Sequence, residues 1–305
     1  MKRLSVVVPA YNEEACIPAF VGAIRGLGLE NPLEIVFVDD GSTDGTLGAV
    51  KAEAAKDARI RYVSFSRNFG KEAALFAGLR HATGDLVVTM DADLQHDPSH
   101  LAEMIRAVEA EGYDCAAACR TTRTGEPKVR SCFAHLFYAL MNRHSDVALK
   151  DGAMDYRLMT RQVVEAVLSL KESNRFTKGI YEWVGFRTKW IECPNVARKG
   201  GASKWSFRSL LAYSGRGILA FSTAPLQIAS VLGIATTLFA FGYMIWVFCK
   251  WLLYGDPVSG WPTLICVILF LGGLQLFVIG ILGLYVAGVF RETKARPVYV
   301  VREER

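Results

Sequence analysis

Two long runs without a charged side chain, Gly217–Cys249 and Pro257–Phe290, limit what this chain can fold into more than any other feature. A helix needs about 20 apolar residues to cross the hydrocarbon core of a bilayer. Each run is therefore long enough to span once, over about 225–249 and about 261–290. Runs of this length are hard to bury in one small domain, which argues against a soluble helical hairpin. Pro225 suits the first turn of the first span. Trp246, Trp251 and Tyr254 close that span and Trp261 opens the second, where aromatic side chains favour the membrane–water boundary. Only Lys250–Gly260 separates the two, so a hairpin is expected over 223–290.

The basic residues orient it. Arg198, Lys199, Lys204, Arg208 and Arg216 precede the first span, and Arg291, Lys294, Arg296, Arg302 and Arg305 follow the second. The connecting turn has only Lys250. Lysine and arginine collect on the cytoplasmic side, so both ends are expected there, with 291–305 as a basic cytoplasmic tail. Met1–Pro9 runs straight into a strand-like segment with no apolar leader ahead of it. The expected location is the cell inner (cytoplasmic) membrane, spanned twice, with the soluble part and both termini in the cytoplasm.

The net charge of +5 belongs mostly beside the apolar segments. It points to anionic lipid headgroups, and the lack of a lysine-rich tract argues against nucleic acid. Seven scattered cysteines without a CxxC pair make neither a disulfide framework nor a zinc site. Two further segments are amphipathic and basic, Arg130–Arg143 and Lys204–Phe221, the second overlapping a juxtamembrane stretch at 201–222. Such helices lie in the headgroup plane or pack on the soluble domain, and beside a membrane anchor the pair favours a lipid-docking surface.

Residues 1–200 have a different grammar. Leu4–Val8, Ile35–Val38, Arg61–Phe65 and Leu86–Met90 read as short buried strands, and Glu13–Arg25, Gly45–Lys56, Lys71–Thr83 and Pro98–Glu111 as helices. Ser42 or Thr43 suits the cap of the second helix. Strands alternating with helices predict an α/β domain on a mostly parallel, Rossmann-like sheet. Ligands of such sheets bind beyond the carboxyl ends of the strands. The polar residues gather there, as Pro9–Glu13, Asp39–Asp44, Ser66–Lys71 and Asp91–Gln95. No GxGxxG follows the first strand and no GxxxxGK[ST] occurs, so dinucleotide and P-loop chemistry lack support. Asp91 and Asp93, one residue apart at the end of the apolar strand VVTM, offer hard oxygens together with Gln95. That set suits Mg²⁺ or Mn²⁺ bound with a diphosphate.

In combination these pieces resemble glycosyltransferase family 2, and within it the polyprenyl-phosphate sugar transferases. The matching segments are VVVPAYNEE (Val6–Glu14), VDDGSTDGT (Val38–Thr46), SRNFGKEAAL (Ser66–Leu75), DADLQ (Asp91–Gln95), DYRLM (Asp155–Met159), NRFTKG (Asn174–Gly179), GASKWS (Gly201–Ser206) and FLGGLQL (Phe270–Leu276). The resemblance implies a GT-A fold, with Pro9, Tyr11, Glu13, Asp40 and Asp91 around the nucleotide and Asp91, Asp93 and Gln95 holding the metal. It places Asp155 and Asp93 at the reacting centre. Arg120 and Arg130 would face the phosphates, and Arg198 and Lys204 the lipid headgroup. Two positions depart from the relatives: Met154 precedes Asp155 where many have a GDFRL-like segment, and Gly283–Ala287 lacks a glutamate common in the last span.

The implied reaction is an inverting transfer from a nucleotide-sugar, a UDP-sugar before a GDP-sugar, to a polyprenyl (undecaprenyl) phosphate. The sugar itself is not legible. A processive polysaccharide synthase fits poorly, since QxxRW is absent and two spans are too few for a polymer channel. A non-catalytic membrane scaffold or flippase subunit, or a transferase with another acceptor, is the alternative. A homo-oligomer stays open, because Gly272, Gly273 and Gly280 allow close helix packing.

Overall fold

The structure, a computed structural model, describes residues 2–95, 97–120, 138–139, 141–143, 145, 147–193, 215, 217–218, 220–254 and 260–305. Three apolar β-branched positions in a row, Val6, Val7 and Val8, make a strand buried on both faces: β1, Leu4–Ala10. It pairs in parallel with β2 (Leu33–Asp39) on one side and β4 (Leu86–Thr89) on the other. β3 (Ile60–Phe65) extends the parallel set beyond β2. α1 (Ile17–Gly26), α2 (Thr46–Lys56) and α3 (Lys71–His81) are the crossovers, and α4 (His100–Glu109) leads to β5 (Cys115–Arg120). β6 (Ala153–Thr160) then inserts antiparallel between β4 and β5, followed by α5 (Arg161–Ser169), α6 (Thr177–Trp183) and β7 (Thr188–Cys193), parallel to β5. The sheet runs β7-β5-β6-β4-β1-β2-β3, with β8 (Val301–Glu304) beyond β3. This mixed, mostly parallel α/β sheet is the GT-A arrangement expected.

Strand alternation divides the core into two layers. Leu4, Val6, Val8, Phe37 and Val88 face α1, α2 and α4, where Phe20 meets Phe37 edge-on at 5.9 Å. Val7 and Val87 face the other way, onto Leu79 of α3, Val163, Val164 and Val167 of α5, and Ile180 and Tyr181 of α6.

Two expectations need revision. Ser42 does not cap α2: its hydroxyl accepts the Asn12 N–H at 3.1 Å, and the Asp44 carboxylate receives the Thr46 N–H at 3.0 Å. A carboxylate two residues ahead outcompetes a hydroxyl already engaged across the rim. The last segment, expected as a plain basic tail over 291–305, carries a strand, β8 (Val301–Glu304), antiparallel to β3. Its basic residues hid an apolar run, Val298–Val301, that packs with Phe65, Ala73 and Ala77. Tyr299 stacks on Phe65 at 4.9 Å.

α7 (Ala224–Tyr254) and α8 (Trp261–Thr293) are the apolar helices, each with a stretch long and apolar enough to cross a membrane. At 1.5 Å per residue they run about 46 Å and about 50 Å, past the ~30 Å hydrocarbon core. The excess of α8 docks on the domain, where Glu292 accepts hydrogen bonds from the Ser173 N–H at 3.0 Å and hydroxyl at 2.6 Å. At the start of α7, the Tyr285 hydroxyl of α8 donates to the Ser222 carbonyl at 2.7 Å. The described ends of the two amphipathic segments meet: Tyr138 and Met141 cluster with Ile218, Phe221 and Phe176. The rest of both segments lies outside the described residues.

Candidate active site

All the parallel strands end on one rim, and β6 begins there. The antiparallel β4–β6 register pairs Thr89 with Arg157; two residues past the end of β4 and two residues back along β6 bring Asp91 opposite Asp155. The Thr89 hydroxyl fixes that crossing by donating to the Asp155 carbonyl at 2.5 Å.

Between the two carboxylates lies Lys71, the first residue of α3. Its ammonium is 2.7 Å from Asp91 Oδ1 and 2.6 Å from Asp155 Oδ2. Burial opposes the charge, but Asp155 and Asp91 outweigh it and hold the Lys71 pKa well above the usual lysine range. The loop ahead of Lys71 is pinned by Asp40, whose carboxylate accepts the Phe69 N–H at 2.7 Å and the Gly70 N–H at 2.9 Å. Gly70 sits at φ 97, a conformation open to glycine and rare for other residues, and it turns the chain into α3. Gly41 is equally constrained: at φ 66, a Cβ there would lie 2.4 Å from the Arg67 backbone. Burial raises the Asp40 carboxyl to about 6, against those two hydrogen bonds and with a further push from the Asp39 charge.

Asp39 holds the other side of the turn, accepting the Ser42 N–H at 3.0 Å and the Ser64 hydroxyl at 2.7 Å. Asn12, at φ 53, accepts the Thr43 N–H at 2.9 Å, tying the β1 end to the β2 end. The Glu13 N–H donates to Thr46 Oγ1 at 2.8 Å. Pro9 is half-buried in β1 and Tyr11 is exposed at its end. Asp93 accepts the Gln95 N–H at 3.1 Å across Leu94, which lies at φ 54. A leucine there has no side-chain hydrogen bond to favour that backbone, so the surrounding structure must hold it. Arg120 ends β5 on the same rim, its N–H donating to the Gly152 carbonyl at 2.9 Å.

Of the expected site residues, Asp91 and Asp155 are thus brought together around one cation, with Arg120 on their rim. Asp93 and Gln95 are joined to each other. Among the described residues no three histidine, cysteine or carboxylate side chains cluster as a ready-made metal cage. Arg130, Arg198 and Lys204 lie outside the described residues. Sequence reasoning put Lys71, Asp39 and Asn12 on the rim but gave none of them a role. Lys71 did leave a signal: a lysine opening a helix faces the positive end of the helix dipole and needs an acidic partner from elsewhere.

The segment Asn174–Gly179 ties this rim to α8. The Thr177 N–H donates to Glu72 Oε2 at 2.9 Å, and the Thr177 hydroxyl meets the same oxygen. Lys178 Nζ donates to the Ala153 carbonyl at 2.7 Å, and Ser173 carries the contact to Glu292. Behind β6, Arg157 is buried between the Tyr181 and Trp190 rings and paired with Glu182 at 3.0 Å.

Carboxylates, an ammonium and strand-end amides on the carboxyl rim of an α/β sheet suit phosphate-bearing ligands, and the chain belongs to glycosyl transferase family 2, whose model matches residues 5–168. It is a glycosyltransferase of the polyprenyl-phosphate subgroup. The bactoprenol glucosyl transferase of Shigella phage SfV is 40% identical over 305 residues, covering 99% of each chain. CsbB of Bacillus subtilis (strain 168), whose name assigns it only provisionally to the glycosyltransferases, is 43% identical over 302 residues, 98% of this chain and 91% of that one. A solved structure, glucosyl-3-phosphoglycerate synthase from Mycobacterium tuberculosis in complex with Mn²⁺ and UDP-glucose, is similar with a TM-score of 0.48 and 22% identity, over 72% of this chain and 77% of that one.

Proposed function

We propose that this enzyme moves a sugar from a nucleotide-sugar to a polyprenyl phosphate at the cytoplasmic face of the inner membrane, by one inverting displacement. The observation that carries the reading is the convergence of Asp91 and Asp155 on a single cation at the ligand-binding rim. Relatives named bactoprenol glucosyl transferase make a nucleotide-linked glucose the first donor to test, as the UDP-sugar before the GDP-sugar, and a polyprenyl phosphate the first acceptor.

The donor set fits a divalent ion. Carboxylates that already grip one cation supply hard oxygens, and the few protein ligands leave coordination positions for a diphosphate, the usual arrangement for Mg²⁺ and Mn²⁺. Asp91 would hold the ion together with Asp93 and Gln95, the pair joined across Leu94. When bound, it neutralises the charge that develops on the leaving nucleoside diphosphate.

The chain's own residues do the rest. Pro9, Tyr11 and Glu13 border the nucleotide position. Asp40 acts through the Phe69–Gly70 amides, keeping the β3–α3 loop in place beside it. Arg120 offers a charge-assisted donor to phosphate oxygens. The acceptor needs little activation, because a phosphate monoester has a second pKa near 6 and is largely dianionic at neutral pH. Asp155 therefore serves as a positioning group, held by Thr89, with no proton to remove. On the earlier resemblance Arg130 is assigned to the phosphates beside Arg120, and Arg198 and Lys204 to the incoming headgroup. α7 and α8 keep the rim at membrane height, with residues 1–200 and both termini cytoplasmic.

The test is a transfer assay with full-length protein in detergent, a short polyprenyl phosphate, Mn²⁺ and a panel of labelled UDP- and GDP-sugars. Label should pass into the organic phase from one donor and stop with EDTA. Metal-dependent nucleotide binding without transfer from any donor would point to another acceptor. No nucleotide binding at all would favour a scaffold.

A further inference from the structure

Lys71 sits where a cation is unwelcome. It opens α3, at the positive end of the helix dipole, and only 35% of its side chain is exposed. Three elements nevertheless cooperate to put it there. The end of β2 pins the loop through Asp40, Gly70 makes the turn, and β4 and β6 bring Asp91 and Asp155 to 2.7 and 2.6 Å from its ammonium. One of them, Asp91, is a carboxylate that the proposed function gives to the metal. An ammonium and a divalent ion cannot share the same carboxylate oxygens, since they repel each other and compete for the same lone pairs. Lysine suits the alternative state as well: its ammonium is a point charge on four rotatable carbons, free to turn without losing a planar fork geometry.

We propose that Lys71 is a resident counter-ion, closing the Asp91–Asp155 pair in the free enzyme and displaced by the divalent ion, after which its ammonium pairs with the donor's diphosphate. This inference rests on the metal-dependent reading above. Its consequence is ordered loading: the metal binds weakly alone and well with the nucleotide, which supplies a new partner for the displaced lysine. The rim is kept from holding two unpaired carboxylates between turnovers.

Mn²⁺ binding measured by electron paramagnetic resonance, on full-length protein in detergent, tests it without relying on turnover. Without nucleotide, Lys71→Met should bind Mn²⁺ about tenfold more tightly than the wild type, the penalty a competing closed state populated about nine times in ten imposes. With UDP present that advantage should vanish or reverse, because the variant lacks the ammonium that meets the diphosphate. Equal or weaker Mn²⁺ binding by the variant without UDP would overturn the proposal.

A second measurement needs no variant. Acylation of Lys71 in the wild type, followed by peptide mass spectrometry, should be slow in the free protein, faster with Mn²⁺ alone and slow again with Mn²⁺ and UDP. A Lys71 rate that ignores Mn²⁺ would overturn the proposal equally. Sugar transfer by a protein whose Lys71 ignores Mn²⁺ would sink this inference and leave the function standing. A lysine that responds to Mn²⁺ in a protein that transfers no sugar would do the reverse.

Discussion

The catalytic domain and the C-terminal hairpin use the same kinds of side chain to opposite ends. In the domain Phe37 and Val88 are fully buried, whereas on the hairpin Phe239 is 76% and Leu276 72% exposed. Polar groups invert as well: the domain spends its carboxylates at strand ends, while the apolar runs of α7 and α8 have none. The difference teaches that the two regions are folded for two solvents. One hides its apolar surface from water; the other offers it to lipid, where no hydrophobic penalty attaches to exposure. Among the described residues they meet through the polar contact of Ser173 with Glu292, and through β8, which brings the chain back from the membrane to the domain's edge.

The contrast breaks most sharply at the rim. Asp91→Asn should cut sugar transfer by about a thousandfold, the scale seen when electrostatic stabilisation is removed, while thermal unfolding stays close to wild type. Asp155→Asn should retain more activity than Asp91→Asn in the same assay. Equal, complete loss in both would make Asp155 more than a positioning group.

A paired truncation sharpens the two-solvent account. Phe37→Ala should cost about 3–5 kcal/mol of domain stability through the cavity it leaves. Phe239→Ala, on the lipid-facing surface, should cost under about 0.5 kcal/mol in detergent. Denaturant unfolding of both variants measures the ratio, and similar costs would mean that Phe239 is packed against protein. Between these extremes lies the junction. Tyr299→Ala removes the stack on Phe65 and should cost about 2 kcal/mol, read as a lower unfolding midpoint of the domain with the hairpin intact.

A pH dependence follows from the same rim. The Asp40 carboxyl is raised from 3.8 to about 6 in the folded protein, so between those values the folded state binds the extra proton. Its contribution to stability therefore increases as pH falls through 6 and levels off below 4. Asp40→Asn should flatten that part of the stability profile, measured as unfolding midpoints from pH 4 to 7.

Much of this was legible in the sequence because two periodicities announce themselves. Buried parallel strands read as short β-branched runs, and the spans as uncharged ones. The rim carboxylates Asp40 and Asp91 stood out because charge at the end of an apolar strand is conspicuous, whereas Asp155 was legible only through the family resemblance. What escaped depends on contacts between distant segments. Lys71 looked like an ordinary helix residue until β4 and β6 brought it two aspartates from 20 and 84 positions away. β8 escaped because pairing with β3 is decided by an edge nearly 240 residues earlier, and its own arginines read as a tail. Ser42 was misread as a cap because Asn12 claims its hydroxyl from another strand end.

The central claim, that a rim built for a nucleotide-sugar serves an acceptor held in the membrane beside it, is tested most directly by reconstitution. The enzyme and a polyprenyl phosphate are placed either in the same vesicles or in separate ones, and label transferred from the nucleotide-sugar is counted in the lipid. The account predicts rapid transfer when they share a bilayer and almost none when they do not. Comparable transfer in both, or preferred transfer to a water-soluble phosphate, would contradict it.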